Sequence, residues 1–146
     1  AYVRRMAASA GCGIASSANH IMLASGLSSV GSIGTFTTII DYSGYFENIG
    51  ISVTDIYATK STKKNESYRE AMNGNTKPLL SELDTFNEMF ISSVKTNRTG
   101  KFTEDPDLFS GKMYMGQAAI DCGLADSFGT LSDAVAKVVE LANSNF

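Results

Sequence analysis

Along this chain of 146 residues the spacing of apolar and polar positions changes several times, and each change marks an element. Residues 2–7 predict a short strand that runs without a linker into Ala8-Ser9-Ala10-Gly11-Cys12-Gly13-Ile14-Ala15-Ser16-Ser17-Ala18. Side chains this small let a helix approach its neighbours closely, so the run predicts a buried helix whose first turn begins near Ser9, with Asn19 and His20 as its exit. Residues 21–24 predict a short buried strand. Residues 28–38, with Gly31 and Gly34 set among β-branched Val30, Ile33, Thr35, Thr37 and Thr38, predict a turn into a strand where backbones come close.

Tyr42, Tyr45 and Phe46 fall at helical spacing, which predicts a helix over 41–48. Gly50 stops it before a strand over 51–57. The resulting β-α-β unit is the signature of an α/β fold. A lysine-rich loop covers 59–67, and a short helix over 68–72 closes at Asn73-Gly74. Leu79, Leu80, Leu83, Phe86, Phe90 and Val94 make one apolar stripe, which predicts a helix over 78–96. A polar connection over 99–106 precedes a small helix over 118–122 with Gly123 at its end. The last helix, over 131–142, is expected to turn Val135, Val138 and Val139 inward under a Ser132 or Thr130 cap. No repeat and no internal domain boundary interrupts this series.

Composition narrows the function classes. Apolar residues make up 43% of the chain, enough for a globular core. Fifteen acidic against twelve basic residues, with no basic block, argue against a nucleic-acid partner. Cys12 and Cys122 stand far apart with no CxxC spacing and no histidine set, so buried reduced thiols are expected, with no metal and no cofactor. No apolar run approaches the roughly 18 residues of a membrane span, and residues 1–6 lack a signal-peptide core, so the chain itself is expected to be soluble.

The segment from Met6 through Ser9, Ala10 and Cys12 to Ile21 resembles the nucleophile region of family S49 serine peptidases, the signal peptide peptidase A and phage head-maturation protease type, where a run like A-A-S-G-G-Y-Y-I-A-S-A-A-D-x-I occurs. Val30-Gly31-Ser32-Ile33-Gly34 resembles the family's T-G-S-I-G. Ile40-Asp41-Tyr42-Ser43 through Gly50-Ile51 resembles its helix and following strand. Ser110-Gly111-Lys112, Gly116-Gln117-Ala118-Ala119 and Gly123-Leu124-Ala125-Asp126 resemble its closing G-R-x-x-x-G-x-x-A-x-x-x-G-L-V-D. The resemblance implies a ClpP/crotonase-type superhelix of β-β-α units that assembles into homo-oligomers. On this reading residues 1–146 are the C-terminal portion of one peptidase domain, whose upstream part carries the first turns of the fold and the rest of the oxyanion hole. A cytoplasmic, phage-type location and membrane association through an upstream segment both stay open.

Serine needs a base within hydrogen-bond reach. His20 is the only histidine. It stands about eleven residues and ~16 Å along the helix from Ser9 at 1.5 Å per residue, which makes a Ser-His-Asp triad a poor reading. Lysine can serve when burial yields a neutral amine. The resemblance implies a base in the loop after residues 51–57, but a gapless count from Gly50-Ile51 puts Thr62 at the family's lysine position. Lys60, Lys63 and Lys64 flank it; a one-residue shift brings Lys63 into place, and Lys60 shares a face with Thr62 in an extended segment. Ala10, where the family has glycine, offers an oxyanion amide, and Ser32 could orient the lysine amine. The expected activity is endopeptidase cleavage of extended peptides, signal-peptide remnants or phage capsid and scaffold precursors, through an acyl-enzyme. The alternatives are an inactive assembly module of the same fold and a crotonase-type acyl-CoA enzyme; Ala7-Ala8-Ser9 with the later motifs argues against the second.

Overall fold

A computed structural model describes residues 1–144. The chain divides into two compact units, one formed by residues 1–35 with those from Asn87 onward, the other by residues 36–86.

The first unit holds two small sheets. Strands β1 (Tyr2–Val3), β3 (Met22–Leu23) and β6 (Ser127–Phe128) form one, all parallel, with Tyr2 opposite Met22 and Met22 opposite Ser127. Strands β2 (Met6–Ala8), β4 (Ser29–Gly31) and β5 (Met113–Met115) form the other; β4 is central, parallel to β2 and antiparallel to β5, with Val30 opposite Ala7 and Tyr114. The single strand expected over 2–7 is therefore two strands in two sheets. Arg4 and Arg5 make the switch, because their carbonyls accept from the Ser28 hydroxyl at 3.1 Å and the Ser29 amide at 2.8 Å. The strand expected within 28–38 ends at Gly31, where a φ of +124° followed by +53° at Ser32 turns the chain out of the ladder.

Helix α1 (Ala10–Ser16) follows β2, and α5 (Gln117–Asp121) follows β5. The expectation of a buried helix holds on one face only: a Cβ built on Gly13 would stand 3.0 Å from the Phe90 ring of α4 (Lys77–Asn97), whose residues from Asn87 on belong to this unit, while Ala10, Gly11 and Ile14 are exposed. Leu23, Ile33, Val94, Leu108 and Leu124 fill the core at 2% exposure or less, each such side chain stabilising by about 1.5–3 kcal/mol through its removal from water. Arg98 lies among them. Its guanidinium donates twice to the Gly123 carbonyl, at 3.1 and 2.7 Å, and twice to Asp126, at 2.8 and 3.1 Å. Asp126 also accepts from the Ile21 amide, so the α4 terminus, the start of β3 and the Gly123 turn share one buried link.

Helix α6 (Leu131–Asn143) begins with a reciprocal cap: Thr130 Oγ1 accepts from the Asp133 amide and the Thr130 amide donates to Asp133. Thr130 is thus the cap, not Ser132. The inward valines are a correction, since Val135, Val138 and Val139 are all more than half exposed and no described residue covers them. The α4 stripe is only partly buried for the same reason; Val94 is enclosed, while Leu80 and Phe86 face solvent.

The second unit contains α2 (Ser43–Asn48), α3 (Glu66–Met72) and the first half of α4. Gly50, at φ +74°, stops α2 as expected. The strand expected over 51–57 does not form, and Ile51, Val53 and Ile56 are exposed. An alternating pattern becomes a strand only when a neighbour pairs its amides, and among the described residues of this unit there is no strand to do so.

Candidate active site

Ser9 sits between the last residue of β2 and the first of α1, at φ 51° and ψ −122°. That combination lies outside the regions open to ordinary L-residues, and a serine held there carries strain that its surroundings must impose. The constraints are visible: the Ser9 amide donates to the Gly31 carbonyl at 2.9 Å, and the Ser9 carbonyl accepts the first bond of α1 from Gly13 at 3.0 Å. The side chain makes no capping bond and is exposed. A serine hydroxyl that would ordinarily cap its helix is left free for other chemistry. The amides of Ala10, Gly11 and Cys12 precede that first helical bond, so they point from the helix N-terminus without intrahelical acceptors, a positive field beside Ser9. Ala10 is exposed at the head of this set.

Gly31 is the hinge of the arrangement. A Cβ there would stand 2.5 Å from the Lys112 carbonyl, which also accepts the Ser32 amide at 2.9 Å. Behind Ser9, the buried Cys12 thiol is pushed up by desolvation, although a bond to the Gly31 backbone works the other way. Cys12 and Cys122 are both buried and free, as the composition suggested. One backbone feature occurs twice. Gly116 joins β5 to α5 at φ 56° and ψ −126°, and its amide donates to the Ser28 carbonyl at 2.9 Å, so both ends of β4 carry the same kind of bend.

The structure brings Ser9, Ala10 and Ser32 together around Gly31. Lys60, Lys63 and Lys64 belong to the second unit, where all three are exposed and Lys63 Nζ pairs with Glu66 at 2.6 Å. Thr62, at the count's lysine position, gives its carbonyl to Arg69 Nη2 at 2.9 Å. Lys112 lies beside the Gly31 turn, but a hydrogen bond to Asp107 at 3.0 Å raises its pKa and holds it as an ammonium, a poor base. His20 is bound elsewhere, with Nε2 2.8 Å from Ser127 Oγ and its pKa lowered by burial. Sequence reading missed Arg98 as a buried group and the strain at Ser9. The Gly-Leu-Ala-Asp segment held the only signal for the first, and only coordinates could give the second.

Ser9 is thus a strained, exposed serine set between a strand of the mixed sheet and the N-terminus of a helix. Comparison with known proteins gives the lineage. The model of Peptidase family S49 matches residues 1–145, and the chain belongs to that family, whose fold is ClpP-like. A protein of Methanocaldococcus jannaschii is 30% identical over 142 residues, 97% of this chain and 45% of that protein. Protease 4 of Haemophilus influenzae is 28% identical over 142 residues, 94% of this chain and 22% of its own. Capsid assembly protease C of Escherichia phage lambda is 30% identical over 130 residues, 89% and 29%. The chain therefore spans less than half the length of each of these relatives.

Proposed function

We propose that the protein is a serine endopeptidase in which Ser9 is the nucleophile and a lysine of the 59–65 loop, Lys63 or Lys60, is the base. The backbone at Ser9 carries this reading: an exposed, uncapped hydroxyl held at φ 51° at the head of a helix whose first amides are free. The neutral lysine amine takes the Ser9 proton as Oγ attacks a peptide carbonyl, and the resulting oxyanion faces the Ala10 amide. The lysine then returns the proton to the leaving amine, and water hydrolyses the acyl-enzyme by the same route. Since all three loop lysines are exposed in the second unit and Lys63 is paired with Glu66, the working amine must be covered by substrate or further packing, and Lys63 must give up that carboxylate, before it acts as a base. Ser32 orients that amine.

Family membership and the protease names of relatives support peptide bonds as the target. Extended peptides, either signal-peptide remnants or phage capsid and scaffold precursors, are the substrate class. The chain acts as part of a longer peptidase domain within a homo-oligomer; the exposed stripe of Val135, Val138 and Val139 supports such packing.

The test is labelling of the full-length protein by a fluorophosphonate serine probe, with peptide turnover measured in parallel. Ser9→Ala should abolish both. One of Lys60→Met, Lys63→Met and Lys64→Met should abolish them with the fold intact. If all three keep wild-type turnover, the Ser-Lys mechanism is wrong. A second reading, an assembly module that has lost activity, is favoured by Thr62 at the family's lysine position; absence of any labelling at Ser9 would select it.

A further inference from the structure

Among the described residues, the lysine loop is held from within by short turns and by the exposed Lys63–Glu66 pair. The Ser61 amide donates to Ala58, Lys64 to Ser61 and Glu66 to Lys63, and Asn65 adopts a left-handed φ of 53° before α3 begins. Such turns are individually weak and exposed, and a base needs its amine held to within a fraction of an ångström of a productive position. One long side chain spans the whole loop. Arg69, in the second turn of α3, reaches back seven residues to donate from Nη2 to the Thr62 carbonyl at 2.9 Å. Its guanidinium carbon lies 4.9 Å from the centre of the Tyr57 ring, on the residue that leads into the loop. Nε of the same group is buried without a partner, so the planar group is held in place at the cost of one unmet donor.

We infer that Arg69 is a positioning residue for the base: by stacking on Tyr57 and binding the Thr62 carbonyl it fixes the start and the middle of the segment from which Lys60 and Lys63 project. This rests on the Ser-Lys reading above. The bond to a main-chain carbonyl at the centre of the lysine cluster sets backbone direction there, and the stack sets where the segment starts. A lysine at position 69 could reach Thr62 but has no planar face for Tyr57, so it should restore only part of the effect.

The experiment uses the full-length protein. Arg69→Met should lower kcat for peptide turnover about tenfold to a hundredfold, with KM within about twofold of wild type, because it misplaces an amine that acts in the transition state. Trypsin should cut faster after Lys60, Lys63 and Lys64, followed by mass spectrometry. Arg69→Lys should recover part of both losses. Tyr57→Leu, which keeps the Thr62 bond, should shift both readouts in the same direction by less, and it decides the matter if Arg69→Met does not fold. Wild-type kcat and wild-type tryptic cleavage in Arg69→Met, alongside a lysine variant that abolishes acylation, would overturn the inference and leave the Ser-Lys reading standing. Wild-type turnover in all three single-lysine variants would overturn both.

Discussion

The strain at Ser9 gives a test that separates backbone conformation from the chemistry of the hydroxyl. Substituting Ser9 by alanine keeps a Cβ in the φ 51°, ψ −122° conformation; substituting it by glycine removes the Cβ and with it the clash that disfavours that conformation. A non-glycine residue held in so sparse a region costs about 1–3 kcal/mol, and glycine's extra freedom in the unfolded chain costs about 0.5–1 kcal/mol. Relief exceeds cost, so Ser9→Gly should be more stable than Ser9→Ala by about 1 kcal/mol, the reverse of the order at an ordinary strand or helix position. Both variants lack the hydroxyl that the proposed mechanism uses, so the comparison isolates the backbone. Denaturant unfolding with an unchanged m-value is the assay, and in a domain of 150–250 residues the melting temperature should differ by roughly 2–4 °C. Equal or lower stability of the glycine variant would show that Ser9 is not strained and would remove the main support for its role.

Asp126 should govern acid stability: burial pushes its carboxyl up, but hydrogen bonds from Arg98, Lys101 and the Ile21 amide outweigh that and hold it well below the carboxylate range. Its contribution is complete above the ordinary Asp pKa near 4 and is lost as pH falls through the depressed value, so Asp126→Asn should cost about 3–5 kcal/mol at neutral pH and flatten the acid limb of a stability–pH curve. Gly31→Ala should destabilise by about 2 kcal/mol or more, since φ is +124° and a Cβ meets the Lys112 carbonyl. Because Gly31 accepts the Ser9 amide, the same change should slow Ser9 probe labelling.

The parts of the fold written in side-chain size and capping chemistry were legible: α1 in its run of small residues, the end of α2 at Gly50, α6 from Thr130. Parts that depend on what lies alongside were not. The residues after Gly50 carry a strand-like alternation with no strand in their unit to pair, and Val135, Val138 and Val139 make an inward-looking stripe with nothing described beneath it. The break at Arg4-Arg5 was invisible because it comes from Ser28 and Ser29, more than twenty residues away. At the candidate site, the motif singles out Ser9 and its neighbours, whereas no motif selects among Lys60, Lys63 and Lys64, since three lysines in a polar loop look alike until their partners are known.

The matched bends at Ser9 and Gly116 differ in clearance. Both leave a strand of the same sheet, enter a helix and bond to β4 or the residue before it, with φ and ψ agreeing to within a few degrees. At Gly116 an added Cβ would lie 2.5 Å from the Gly26 carbonyl, whereas at Ser9 the side chain stands in the open. The backbone thus builds two such seats and leaves room for a side chain in one. Shortening or shifting the Gly26 turn would vacate the second seat, and a serine placed at 116 would then meet the same backbone geometry as the first, on the opposite end of β4.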